Sequence, residues 1–223
     1  MKFSFKQFIV PNFKSKFLFL SASIFFMGFF LSILIEIGFG TDPCSFMNLN
    51  VSRIIGLSLG TVQLSLNIFL LVFLFIFNGS EIGFGTILNM TLIGYIADFF
   101  CWIWKSSGFT VFLQTNMAAK ILLFVVVIFA FILSAAVYMN CQMGVAPYDS
   151  IPVIISRALP KVPFFAIRMC YDFASVFIGL TAGLLNPEGI QGSVIGVLIM
   201  ALTLGPVISA VGKFFRRHIP IFS

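Results

Sequence analysis

Charged side chains are scarce in this sequence. Its 223 residues include 13 Lys and Arg and 7 Asp and Glu, so that 9% are charged, whereas 60% are hydrophobic. A soluble domain carries about 25% charged residues, and this chain has too few to cover a water-facing surface. The composition excludes a soluble enzyme, a secreted disulfide scaffold and a disordered chain. We therefore expect an integral membrane protein.

The patterns typical of catalytic and metal sites are also missing. The chain has one His, and its four Cys show neither CxxC nor CxxxC spacing, so we expect no metal, cofactor or redox chemistry. The motif H-E-x-x-H and the P-loop do not occur, which argues against a metalloprotease and against an ATPase within the chain, and we expect a protein that is not an enzyme. The net charge of +6 comes from basic residues at the chain ends and beside apolar runs. Membrane topology explains that placement without nucleic acid.

Six apolar runs approach the roughly 20 residues that a transmembrane helix needs. They are Phe17–Ile37, Gly60–Asn78, Thr86–Trp104, Met117–Asn140, Phe164–Leu185 and Ser193–Gly212. The first run is too long for a signal-peptide core, and its far end has no Ala-x-Ala-like cleavage site. Both features favour a retained span over a cleaved leader.

The distribution of Lys and Arg predicts the orientation of these spans. With six spans, both termini and the fourth connection lie on one side of the membrane and carry nine Lys and Arg residues. The opposite side carries three, Arg53, Lys105 and Lys120. Because positively charged loops stay in the cytoplasm, we expect both termini there.

The two halves of the chain share an ordered set of residues. Gly40-Thr-Asp-Pro43 recurs as Gly144-Val-Ala-Pro147 at an offset of 104, the offset that also relates Arg53 to Arg157. At an offset of 111, Gly85 and Gly94 match Gly196 and Gly205. Since each half holds three spans, the second half enters the membrane from the opposite side. The sequence thus predicts an all-α integral membrane protein with six transmembrane helices as an inverted 3+3 repeat.

Each half also holds a short segment after its Gly/Pro turn. The segments Cys44–Leu57 and Tyr148–Leu159 have 14 and 12 residues, too few to cross about 30 Å at about 1.5 Å per residue. They are either re-entrant half-helices or connectors at the interface. The predicted organisation is a basic cytoplasmic N-terminus (1–16), repeat 1 (17–104), a connecting loop (105–116), repeat 2 (117–212) and a basic cytoplasmic C-terminus (213–223).

These motifs resemble those of the YczE/YyaS/YitT-like group of small bacterial multi-spanning membrane proteins. The resemblance rests on the paired Gly-x-x-Pro turns, on Gly83-x-Gly-Thr86, on the run Ile93–Asp98 and on Leu204-Gly205-Pro206, and it extends over residues 20–212. Pro147-Tyr148-Asp149 looks like the Pro-aromatic-Asp turn of that group, whereas the first half departs from it with Pro43-Cys44-Ser45. The resemblance implies the bacterial inner membrane and a transport-related function, without a substrate.

Three ionisable residues fall well inside predicted spans. Arg168 and Asp172 lie at i, i+4 in the fifth span, and Asp98 lies in the third. Charges at that depth cost about 2.5–3.5 kcal/mol on insertion scales, so each needs a reason. One reading is an internal ion pair that locks neighbouring helices. The other is that Arg168 binds an anionic substrate while Asp172 or Asp98 relays a proton.

Further candidates surround the two turns. If the short segments dip inward, the turns bring Gly40, Asp42, Pro43, Gly144, Pro147 and Asp149 to the edge of a site, with Gln63 and Asn67 on one face of the second span. Asp149 is also well placed to cap its short helix, and the two amides are typical of interhelical hydrogen bonds.

The favoured function is a permease or exporter for a small solute, secondary or passive. The alternatives are a substrate-binding membrane subunit of a larger transport complex and a non-transport accessory protein. The expected partners are a small molecule or ion and the lipid bilayer; a homodimer or a membrane-protein partner is left open.

Overall fold

The computed structural model describes residues 5–218, and this part of the chain forms nine α-helices and no β-strand. The helices are α1 (Phe13–Ile37), α2 (Pro43–Ile55), α3 (Leu59–Asn78), α4 (Phe84–Ser106), α5 (Phe109–Thr115), α6 (Met117–Asn140), α7 (Pro147–Ala158), α8 (Phe164–Leu185) and α9 (Val194–His218). Six of them, α1, α3, α4, α6, α8 and α9, are long and apolar enough to cross a membrane. The prediction of six spans is confirmed as six helices of membrane-crossing length.

The short helices α2 and α7 occupy the two segments that follow the Gly/Pro turns. Pro43 and Pro147 stand at the first helical position, where the amide has no intrahelical partner and proline costs nothing. Gly40 and Gly144 have φ of +128° and +93°, a region that glycine adopts without steric strain. The turns thus direct the chain into helices of 13 and 12 residues.

The two short helices begin differently. Asp42 is the N-cap of α2, and its carboxylate accepts a hydrogen bond from the Ser45 amide at 3.0 Å. The prediction that Asp149 caps α7 is wrong, because Ala146 holds the N-cap position and makes no side-chain cap. Asp149 instead accepts a hydrogen bond from Arg168 at 2.9 Å. A guanidinium offers the carboxylate a full positive charge as well as an N–H donor, whereas the N-terminus of a helix offers about half a charge, which explains this preference.

Helix α1 forms the centre of the bundle, where it packs against α4 and α6. Leu20, Leu31 and Leu34 on α1 are fully buried. Packing of this kind, together with small residues at helix crossings, is what holds membrane helices together.

Each half of the chain completes its packing with elements of the other half. Helix α2 packs on α8, and α7 packs on α3. The turn at Gly40 lies against Gly196 of α9, where a Cβ on Gly40 would be 2.8 Å from the Gly196 carbonyl carbon. The turn at Gly144 lies in the same way against Gly85 of α4, whose amide donates to the Met143 carbonyl at 2.7 Å. Four of the six glycines that mark the repeat therefore meet in two crossed pairs.

The connection between the halves is more ordered than the predicted loop at 105–116. It contains α5, whose Leu113 is fully buried in the core around α1. Burying this apolar turn accounts for the helix. The predicted basic termini fall partly outside the described residues, at positions 1–4 and 219–223.

Candidate functional site

A cavity of about 510 Å³ lies between the long helices and the first turns of both short helices. Cavities that hold small ligands measure about 300–1,000 Å³ and combine apolar walls with a few polar groups. This cavity has that character, with walls of Met, Leu, Ile, Val and Phe side chains and with charged and amide groups from α2, α3, α7 and α8.

An ionic cluster on α7 and α8 forms one wall of the cavity. Arg168 donates from Nε to Asp172 at 3.0 Å and from Nη1 to Asp149 at 2.9 Å. The Asp172 side chain is 5% exposed, and those of Arg168 and Asp149 are about one quarter exposed. The internal ion pair expected from the i, i+4 spacing is therefore present, and a second carboxylate joins it.

Tyr148 supports this cluster from the first turn of α7. Its hydroxyl donates to Asp172 at 3.0 Å and lies 2.8 Å from Ser175 Oγ. The guanidinium carbon of Arg168 lies 5.7 Å from the centre of the Tyr148 ring, within the range of a cation–π interaction. The position of Asp172 is thus fixed by two different helices.

Asp42 is the third carboxylate at the cavity and lacks a cationic partner. Among residues 5–218, no Lys or Arg is paired with it. Burial raises the pKa of the Asp42 carboxyl above its ordinary value; the hydrogen bond from Ser45 acts in the opposite direction, and the nearby carboxylates of Asp149 and Asp172 raise the pKa further. A carboxylate in these surroundings lacks a compensating positive charge.

One buried polar atom of the described part of the chain, Gln63 Oε1 on α3, has no hydrogen-bond partner, and the residue is 6% exposed. The atom lies at the crossing of α3 and α4, 3.0 Å from the position that a Cβ on Gly94 would take. An unsatisfied buried polar atom costs about 1–3 kcal/mol.

The structure brings most of the predicted site residues to this cavity. Its lining includes Asp42, Pro43, Gln63, Asn67, Asp149, Arg168 and Asp172. Asn67 also accepts a hydrogen bond from the Tyr148 amide at 3.4 Å, and so joins α3 to α7.

The remaining predicted site residues do not line the cavity. Gly40, Gly144 and Pro147 shape the turns behind it. Asp98 lies elsewhere, because its carboxylate accepts from the Leu59 and Gly60 amides at 3.2 and 2.7 Å and so caps the N-terminus of α3. Asp98 therefore acts as a helix cap, and nothing in the structure supports a contact between Asp98 and a solute.

A model of a family of unknown function (DUF6198) matches residues 14–213 of the chain. The chain belongs to this family. The match includes all six long helices except the ends of α1 and α9, both short helices and every residue of the cavity. No curated protein and no solved structure matches the chain.

Several cavity residues of this DUF6198 member escape sequence reasoning. Tyr138 and Glu81 stand in no motif, and the structure pairs Glu81 with Arg157 at 3.2 Å across 76 positions of sequence. Tyr148 had a signal in the Pro147-Tyr148-Asp149 turn, although nothing in the sequence indicates that its hydroxyl reaches α8. Contacts of this range depend on how the helices pack.

Replacing Tyr148 with Phe tests the support of the ionic cluster. The Tyr148→Phe protein loses the hydroxyl that donates to Asp172, and we expect a fall of about 1.5–3 kcal/mol in the free energy of unfolding, the value of a hydrogen bond to a charged group. Unfolding in mixed micelles with a rising fraction of SDS measures it. Tyr95→Phe is the control, since Tyr95 is exposed and its hydroxyl lies 3.4 Å from Thr61. Equal losses in both variants would contradict the supporting role of Tyr148.

Proposed function

We propose that this protein is a permease or exporter for a small solute, driven by an ion gradient or passive, and not an enzyme. The observation that carries the proposal is the cavity, which places a partly buried ionic cluster inside a bundle of six membrane-length helices. Ionisable groups inside a membrane protein are costly and mark substrate pathways more often than ordinary packing. Of the predicted site, the residues proposed to contact the solute are the seven that line the cavity.

We further propose that the two halves are inverted repeats. In support, the exchange of short helices (α2 on α8, α7 on α3) and the crossed glycine pairs relate equivalent residues of the two halves. Transporters built in this way bind their substrate between the repeats and move one repeat against the other around a fixed site. The cavity lies between the first turns of α2 and α7, where such a site is expected.

The proposed location is the bacterial inner membrane, with both termini in the cytoplasm. The nine-to-three distribution of Lys and Arg supports this orientation. The resemblance to the YczE/YyaS/YitT-like group supports the bacterial setting and stays a prediction.

The test uses two matched substitutions on α9. Ala201 lines the cavity, whereas Ala210 is exposed and is not part of the lining. Wild-type, Ala201→Phe and Ala210→Phe proteins are reconstituted into liposomes loaded with a mixture of small metabolites, and release is followed by mass spectrometry. We expect at least one compound to leave wild-type and Ala210→Phe liposomes at least ten times faster than Ala201→Phe or protein-free liposomes.

Other outcomes would assign other roles. Tight binding of a solute without release indicates a substrate-binding subunit that needs a further component. Neither binding nor release, together with co-purification of another membrane protein, indicates an accessory protein. Release that is equal in both variants would show that the solute does not pass through this cavity.

A further inference from the structure

We infer that the solute is an organic cation, a protonated amine with an apolar body, and that Asp42 is its counter-ion. This inference rests on the proposed function and adds the chemical class of the solute. It departs from the expectation that Arg168 binds an anion.

The first step concerns Arg168, which is the only basic side chain among the described residues that line the cavity. Its guanidinium already donates to Asp149 and Asp172. An anionic solute at the remaining N–H donors would lie beside two carboxylates that already outweigh the single charge of the guanidinium, so that the solute's own charge would be uncompensated. Leaving a buried charge without a partner is strongly unfavourable, so the arrangement disfavours an anion.

The second step is the balance of charge at the cavity. Glu81 also lines it but is paired with Arg157. Asp42, Asp149 and Asp172 then face a single guanidinium. When all three carboxyls are ionised, the site has an excess of negative charge, and Asp42 is the one at the cavity without a cationic partner among residues 5–218. A bound cation would supply the missing charge.

The third step is the hydrogen bonding of Asp42. Its residue lines the cavity, and its carboxylate accepts a hydrogen bond from the Ser45 amide at 3.0 Å. A carboxylate has two oxygens and can accept several hydrogen bonds, whereas an ammonium group has up to three N–H donors and no acceptor. An ammonium group in the cavity can therefore donate to the Asp42 carboxylate.

The apolar walls favour an organic over an inorganic cation. A cavity of about 510 Å³ lined by Met, Leu, Ile and Phe side chains suits a ligand with an apolar body. Within residues 5–218, no three His, Cys, Asp or Glu side chains converge in a way that could hold a metal ion. The chemistry common to these observations is a cationic head on an apolar body.

The experiment compares three probes of similar size and different charge. Purified protein in nanodiscs of zwitterionic lipid is titrated with 2-phenylethylammonium, with 3-phenylpropionate and with 2-phenylethanol, and the unfolding midpoint gives each dissociation constant, because a ligand of the folded state raises stability with concentration. Sodium and potassium chloride at equal ionic strength complete the series. We expect the ammonium compound to raise the midpoint and the other additions to leave it unchanged.

The Asp42→Asn variant tests whether Asp42 is the counter-ion of the bound cation. Asn is as good an N-cap as Asp, so the hydrogen bond to the Ser45 amide and the start of α2 are retained while the charge is lost. We expect binding of 2-phenylethylammonium to weaken at least tenfold. Asp98→Asn is the matched control, an Asp that also caps a helix but lies outside the cavity, and it is expected to bind as the wild type does.

Four results would overturn the inference. They are an equal or larger shift with the carboxylate or the alcohol, a shift with sodium or potassium alone, unchanged ammonium binding in Asp42→Asn, and no shift with any probe. The liposome experiment decides the proposed function separately. If anionic metabolites were released, the transport function would stand and the cationic substrate class would be wrong. If ammonium binding depended on Asp42 but no solute were released, the cation site would stand and the protein would not transport by itself.

Discussion

Replacing Gly196 with Ala is expected to lower the free energy of unfolding by about 3 kcal/mol, the upper part of the usual range for an over-packed site. An added Cβ would overlap the carbonyl oxygen of Phe39 and would lie 3.4 Å from Gly40 Cα. Both neighbours are backbone atoms of the turn that leads into α2, and they cannot rotate away as a side chain would. The loss is measured by unfolding in mixed micelles with a rising fraction of SDS.

Gly205→Ala on the same helix is the matched control. A Cβ at Gly205 meets nothing within 4 Å, and the substitution removes a poor helix former from α9. We expect a stability equal to or above that of the wild type. If both alanine variants were equally stable, the close approach of α9 to the Phe39–Gly40 turn would be wrong.

The sequence predicts the elements of this fold better than their arrangement. Apolar length identifies the six spans, and the Gly/Pro turns at Gly40–Pro43 and Gly144–Pro147 identify the starts of the short helices. Glycine spacing also indicates where backbones approach closely. It does not reveal that Gly40 meets Gly196 while Gly144 meets Gly85, because that pairing depends on how the two halves pack.

The candidate site shows the same division between local and distant contacts. The pair formed by Arg168 and Asp172 follows from the geometry of one helix, since residues at i and i+4 are neighbours on its surface. Asp149 lies 19 positions before Arg168 on a different helix, and no sequence rule connects the two. The sequence placed Asp98 in a site and Asp149 at the edge of a site or at a helix cap. In the structure Asp149 belongs to the ionic cluster, and Asp98 caps a helix.

This difference changes the chemistry expected of the cavity. The sequence leaves two readings of Arg168 open, an internal ion pair with Asp172 and a binding site for an anionic substrate. The structure shows that the charge of Arg168 is compensated by two carboxylates, and the group at the cavity that lacks a cationic partner is then the third carboxylate, Asp42. The preferred charge of the solute is therefore reversed by one contact between α7 and α8.

The importance of that contact leads to the second large effect, which is expected for Arg168→Gln. Loss of the guanidinium leaves Asp149 and Asp172 facing each other without a counter-charge, and Asp172 is 5% exposed. Breaking a buried pair by removing one partner costs about 3–5 kcal/mol. Because Arg168 and Asp149 are partly exposed, we expect about 3 kcal/mol, measured by SDS unfolding.

Two further variants distinguish the loss of the ionic cluster from the general effect of removing an Arg side chain. Arg157→Gln breaks the pair with Glu81, whose side chains are 48% and 33% exposed, and exposed pairs contribute at most about 1 kcal/mol. Adding Asp172→Asn to Arg168→Gln removes one of the two stranded carboxylates and is expected to recover part of the lost stability. If Arg168→Gln were no less stable than Arg157→Gln, the cluster would not hold α7 to α8. Arg168 would then be free to bind an anion, and the assignment of Asp42 as the counter-ion of a cation would lose its first step.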